Sequence, residues 1–249
     1  MAVTADAFFH AAEALPFAAL DEILAPGGLL VLAPHPDDES LGCGGLIALA
    51  ARQARPVCVA FISDGAASHP GSRDYPPEAL RALRESEALG ALALLGLPPG
   101  MVRFLHLPDA AVPHEGMRFL AAVERLSGLV RCIGAGTVLA SWGHDPHCDH
   151  QATHAMAAAL RRRHPGLRHL AYPVWGHTLP PETEIGMAPR GARLAIGSML
   201  PHKRAAIRAH RSQLGEVILD DPQGFVLDAS MLARFDRPYE IVLEVEPEA

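Results

Sequence analysis

Residues 31–45 read VLAPHPDDESLGCGG, an apolar run that breaks into one imidazole and three acids, His35, Asp37, Asp38 and Glu39, before small residues resume. The segment LLVLA (29–33) has the length of a buried strand, and SLGCGGLIALAARQA after the acids reads as a helix. Adjacent carboxylates repel one another and lose hydration when enclosed, so a fold buries them only with a compensating cation. Otherwise the stretch is an exposed acidic loop capping the helix that follows it.

Working outward, short apolar runs alternate with longer helical patterns. VCVAFIS (57–63), MVRFLHL (101–107), TVLAS (137–141) and LRHLAYPV (167–174) are separated by PPEALRALRESEALGALALLG, EGMRFLAAVERLSGLVR and DHQATHAMAAALRRR. Strand, helix, strand at this spacing predicts an α/β fold, a Rossmann-like three-layer sandwich with a mainly parallel sheet. Ligands of such sheets sit outside the carboxyl ends of the strands. The polar clusters fall there: HPDDE, SDG (63–65), PDA (108–110) and GHDPHCDH (143–150) each follow a predicted strand. Beyond about residue 175 the pattern weakens, apart from a helix at PHKRAAIRAHRSQLG. One domain is expected over 1–249, with an N-terminal helix in 1–25 and a less regular portion over 175–249.

The chain has 249 residues, 49% hydrophobic and 20% charged, with a formal net charge of −7. That balance, without a basic run, gives no electrostatic reason to expect nucleic acid and favours a small-molecule or glycoconjugate partner. The N-terminal stretch carries Asp6 and Glu13 and lacks a basic n-region, so it reads as an amphipathic helix rather than a signal peptide. No segment is long and apolar enough to span a bilayer. Cys43, Cys58, Cys132 and Cys148 form no C-x-x-C pair, which favours reduced thiols and a cytoplasmic location. A homo-oligomer is compatible with the sequence.

A divalent metal with three protein ligands and an open position takes imidazole and carboxylate donors, often two near in sequence and one distant. His35 and Asp38 supply a near pair, on a backbone restricted by Pro34 and Pro36. A distant ligand is expected from residues 144–154, where His147, His150 and His154 are spaced to share a helix face. Hydrolysis of an amide also needs a base for the attacking water and an acid for the leaving amine, so one Asp and one His should stay off the metal.

At these residues the sequence resembles the LmbE-like, PIG-L-type family of zinc-dependent N-acetylglucosamine deacetylases, whose hallmarks are A-H-P-D-D-E at a strand end and a later H-x-D-H. Here they stand as A-P-H-P-D-D-E, with Pro34 inserted, and H-C-D-H, with Cys148 where the family usually has proline. SDG, Arg84-x-x-Glu87, FLHLPDA with Asp109, YPVWG and HRSQ extend the similarity over roughly residues 29–213. The resemblance implies that His35, Asp38 and His150 bind zinc, or iron(II) in the same ligand set. It implies that Asp37 is the general base and His147 the general acid, and that Arg84 and Asp109 hold sugar hydroxyls. Some members place a tyrosine two residues before the catalytic His; this chain has Asp145 there. Glu39, Asp64, His144 and Asp149 are expected to support or flank these groups. Trp175 and His177 are candidates for a wall against the sugar. The basic face with Lys203 and Arg211 reads as an ordinary solvated face; folded over the rim, it would favour an anionic or phosphate-bearing substrate.

The expected reaction is removal of acetyl from an N-acetylated amino sugar or its conjugate. A non-haem iron(II) oxygenase uses a similar His/Asp/His set, but usually as H-x-D on an all-β scaffold. A non-catalytic metal-binding or glycan-binding module would leave Asp37 and His147 without a task.

Overall fold

A computed structural model of the chain describes residues 3–245. In chain order the elements are β1 (Val3–Thr4), α1 (Ala5–Ala12), β2 (Phe17–Ala18), α2 (Leu20–Ile23), β3 (Gly28–Ala33), α3 (Asp38–Arg52), β4 (Val57–Ser63), α4 (Pro77–Leu94), β5 (Val102–Leu107), α5 (Gly116–Cys132), β6 (Ala135–Ser141), α6 (Cys148–Arg163), β7 (Arg168–Tyr172), β8 (Glu184–Gly186), β9 (Gly191–Ala195), α7 (Leu200–Ala209), α8 (Ala229–Phe235) and β10 (Tyr239–Glu244). Among the described residues, eight strands form one sheet in the order β2-β9-β10-β7-β6-β3-β4-β5, and β1 pairs with β8. The block from β7 to β5 is parallel throughout, and β10 runs antiparallel to both its neighbours. No helix among the described residues is long and apolar enough to cross a membrane.

The central strand β3 is buried along its whole length, as expected of a parallel strand covered on both faces. Its side chains alternate between two cores. Leu29, Val31 and Ala33 join the apolar face of α3, α4 and α7, whereas Leu30 and Leu32 join α5 and α6. This is the three-layer α/β arrangement expected from the alternating pattern. The strand order reverses around β3, whose neighbours are β4 and β6, so the loops carrying HPDDE, SDG, PDA and GHDPHCDH converge at one rim.

Two expectations are corrected. The N-terminal stretch is not one helix over 1–25: residues 1–2 lie outside the described residues, and α1 and α2 are separated by Pro16 and the edge strand β2. Proline cannot continue a helical hydrogen-bond ladder, and here its carbonyl instead accepts from Arg193 N at 2.8 Å. The portion after 175 is also more regular than its composition indicates, because β9 and β10 extend the sheet beyond β7.

Helix α3 carries a kink at Cys43 (φ −145°, ψ 23°), which starts a second helical stretch inside the protein. Its free N–H groups would be unsatisfied there without a partner. The Glu240 carboxylate from β10 accepts from Gly45 N and Leu46 N, both at 2.8 Å, and pairs with Lys203 Nζ at 2.7 Å. Both side chains are buried, so Lys203, expected on a solvated basic face, is an internal counter-ion. Gly42 lets the same helix approach the sheet: a Cβ there would lie 2.1 Å from the Tyr172 ring.

Replacing Glu240 by Ala leaves Lys203 buried without a partner and uncaps the kink. We expect a loss of about 3–5 kcal/mol, read as a lower urea midpoint in equilibrium unfolding.

Candidate active site

Strand β3 ends at Ala33 and delivers His35, Asp37 and Asp38 to the rim, where α6 brings His147 and His150. His35, His147 and His150 each offer a ring nitrogen within 4.8 Å of the others. Between two of these rings lies Asp38, whose Oδ2 is 3.1 Å from His35 Nδ1 and 3.2 Å from His150 Nε2. The opposite nitrogens face acids. His150 Nδ1 is 3.0 Å from Asp145 Oδ2, and His35 Nε2 is 3.1 Å from both Asp109 Oδ1 and Asp149 Oδ2. An imidazole donating from one nitrogen to a carboxylate presents the lone pair of the other, which is how proteins orient metal-binding histidines.

The donor set fits a divalent ion. Ligands about 2.0–2.1 Å from a tetrahedral centre stand roughly 3.3 Å apart, close to the separations of Asp38 Oδ2 from the two imidazoles. Asp38 Oδ1 is also buried without a hydrogen-bond partner, and His150 Nε2, although 3.2 Å from Asp38 Oδ2, makes no hydrogen bond to it, a costly state that an ion would relieve. Asp109 and Asp149 contribute to neighbouring donor clusters. Their oxygens, however, already accept backbone N–H groups: Ala67 N on Asp109 Oδ2 at 2.8 Å, and Ala110 N and Val112 N on Asp149 at 2.7 and 3.0 Å.

Asp37 stands apart from this set. Its Oδ2 is 3.4 Å from Arg84 Nη2 and its side chain borders the open cleft. Burial, together with the charge of Asp38, pushes its carboxyl up to about 7 against the pull of Arg84. Burial alone would raise Asp38 too, but the His150 and His35 imidazoles overcome it and hold that carboxyl well below its ordinary range. Two adjacent carboxyls are thus driven apart, one readily ionised and one poised near neutrality, the pattern that marks acid–base sites. His147 caps α6, its Nδ1 accepting from Asp149 N at 3.2 Å, which leaves Nε2 as the nitrogen that carries the proton.

The remaining expected residues separate. Arg84, expected at sugar hydroxyls, is buried and donates to Gly65 O at 2.9 Å and Pro36 O at 2.8 Å. Asp109, expected in the same role, lines the cleft but commits both oxygens to His35 and Ala67. Asp64 braces its loop by accepting from Ala66 N and Asp109 N. Glu39 meets His210 Nε2 at 3.2 Å and accepts from Ser40 Oγ and Asp37 N. His144 is exposed and packs on Trp142, with its centroid 5.0 Å away, in a different cleft from His147. Sequence reasoning missed Asp145 as the group that orients His150, and His210 as the partner of Glu39. The signal for Asp145 was a second acid inside HDPHCDH; His210 had only its place in HRSQ.

The backbone of Asp37 is strained, with φ 142° and ψ −31°, a conformation suited to glycine. Asp37→Gly removes that strain and one of three consecutive buried acids, but leaves the buried Arg84 without its acidic partner. We expect the strain relief of about 1 kcal/mol to be outweighed by the unpaired guanidinium, read as a lower midpoint in equilibrium denaturation, while any activity that needs the carboxylate disappears.

The model of the family described as PIG-L, GlcNAc-PI de-N-acetylase, matches residues 30–160, just over half of the chain and the span from β3 through most of α6. A relative from Bacillus subtilis (strain 168), a probable N-acetyl-alpha-D-glucosaminyl L-malate deacetylase 2, is 30% identical over 189 residues, covering 74% of this chain and 82% of the relative. Among solved structures, N,N'-diacetylchitobiose deacetylase from Pyrococcus horikoshii superposes with a TM-score of 0.63 at 21% identity, covering 89% of this chain and 84% of that one. The 4-carboxy-2-hydroxymuconate hydratase of Pseudomonas putida KT2440 shares the fold at a TM-score of 0.60 and 20% identity, covering 90% of this chain and 98% of that one. The fold alone therefore accommodates more than one reaction. With the two hallmark segments inside the matched span and brought to one rim, the chain belongs to the PIG-L family of de-N-acetylases.

Proposed function

We propose that this PIG-L-family deacetylase removes acetyl from an N-acetylated amino sugar or its conjugate, with a divalent metal, zinc, held by His35, Asp38 and His150. The observation that carries this reading is the contact of Asp38 Oδ2 with both imidazoles while Asp145, Asp109 and Asp149 occupy their far nitrogens. When bound, the ion would supply Lewis acidity, lowering the pKa of water and polarising the acetyl carbonyl. Iron(II) would fit the same donors. An oxygenase reading loses support from the α/β layers, since its usual scaffold is all-β.

In this reading Asp37 is the general base. Its carboxylate borders the cleft and its affinity for a proton is matched to neutral pH, the optimum for taking one from water. Arg84 holds Asp37 at the cleft and is itself fixed by two carbonyls. His147 is the general acid: Nδ1 is occupied by the α6 backbone, so proton delivery to the leaving amine falls to Nε2. Asp145 is turned towards His150 and Val174 N, so it does not replace the tyrosine of other members at the carbonyl oxygen. The cleft, of about 890 Å³, suits a small-molecule or glycoconjugate substrate.

Metal-stripped protein is assayed for acetate release from a panel of N-acetyl amino sugars and conjugates, with and without one equivalent of zinc. We expect release only with zinc. Asp37→Asn should retain the metal and lower turnover by about 10²-fold or more; undiminished turnover in that variant would remove Asp37 from the mechanism. Tight zinc binding with no acetate from any member would favour a binding module. Asp145→Ala should weaken zinc affinity by about 10–100-fold, measured by competition with a chelating dye.

A further inference from the structure

The cleft at the candidate centre is lined by two chemically different groups of side chains: the site residues His35, Asp37, Asp38 and His147, and an apolar group, Trp175, Phe225, Val226 and Met231, beside the neutral Thr178 and Gln223. Trp175 and Phe225 meet edge to face, with centroids 5.7 Å apart, and both pack against the main core, which fixes their position. Val226, in the same lining, is 42% exposed.

The apolar group brings no free cation to the cleft. Among the described residues lining the cleft, Arg84 is the one fixed cation, and it is 3% exposed and spent on Gly65 O, Pro36 O and Asp37. The basic segment 201–213 does not compensate, since none of its cations lines the cleft: Lys203 is buried against Glu240, Arg204 pairs with Asp236, Arg211 pairs with Glu216 at 3.0 Å, and Arg208 lies outside the lining. A carboxylate or phosphate on the aglycone would lose water there without gaining a cationic partner. Gln213 also lines the cleft and is fully buried. Its Nε2 donates to Ser212 Oγ and Ser68 Oγ, and its Oε1 has no partner. An unpaired buried carboxamide oxygen at a cleft wall is a ready acceptor for a hydroxyl of a neutral sugar.

We propose that this cleft takes an N-acetyl amino sugar bearing an uncharged apolar aglycone, seated against Trp175 and Phe225, with Gln213 accepting from a sugar hydroxyl. The inference rests on the deacetylase reading for its sugar end and on the lining of the cleft for its aglycone end. It differs from the substrate in the name of the Bacillus subtilis relative, whose malate carries carboxylates.

The test compares phenyl N-acetylglucosaminide, free N-acetylglucosamine and the L-malate glycoside on zinc-loaded protein. It reads kcat/KM for acetate release and, separately, Kd from tryptophan fluorescence, since Trp175 is one of two tryptophans. We expect the phenyl glycoside to exceed the malate glycoside at least tenfold in both readouts. Phe225→Ala should shrink that ratio, Val226→Lys should move it towards malate, and Gln213→Leu should weaken all three ligands. A malate glycoside bound and cleaved as well as the phenyl one, or a ratio indifferent to Phe225→Ala, overturns the proposal while leaving the deacetylase reading intact. Preferential binding of the phenyl glycoside without acetate release would support the aglycone assignment and defeat the reaction.

Discussion

The structure depends on how three consecutive acids at the end of a fully buried strand are neutralised. Asp37, Asp38 and Glu39 have almost no access to water, so each carboxylate needs a positive or hydrogen-bonding partner brought to it by another part of the chain. Arg84 comes from α4 to Asp37, His150 from α6 to Asp38, and His210 from the end of α7 to Glu39. Each of these elements is therefore tied to the same rim by charge as well as by apolar packing. The rim is where the parallel strands end, so the requirement to satisfy the acids and the requirement to build a site are met by the same contacts.

Much of the fold was legible in the sequence, and the reason is periodicity. Strands buried on both faces, such as VCVAFIS, appear as unbroken apolar runs, and the helices between them show one apolar stripe. The pattern failed where burial is partial. Strand β9, GARLA, is only half-buried and pairs with an edge, so its composition carries no strong period. Pro16 hid a strand within what read as one helix.

The candidate site was legible in its clusters but not in its pairings. His35, Asp37, Asp38, His147 and His150 stand out because imidazoles and acids break apolar runs at strand ends. Which acid orients which imidazole depends on contacts across the fold, such as Asp149 to His35 and Glu39 to His210. Spacing does not encode those. Lys203 shows the opposite failure: a helical pattern of cations reads as solvated, yet one of them is enclosed because a distant glutamate needs it. A hydratase with the same layers underlines that chemistry resides in these side chains and not in the sheet.

The capping of α3 by Glu240 has a consequence for the order in which the molecule matures. Helix α3, which continues the segment bearing His35 and Asp37, begins at residue 38, while the carboxylate that caps its inner half arrives from β10, with a sequence separation of 195 residues to Gly45. During synthesis, the sheet from β3 to β7 has emerged long before that strand is available to pair. A nascent chain thus holds the apolar layers without a closed helix beneath its acids until β10 docks. Completion of the helix beneath the site is a late event, set by a strand almost two hundred residues downstream of the helix it caps.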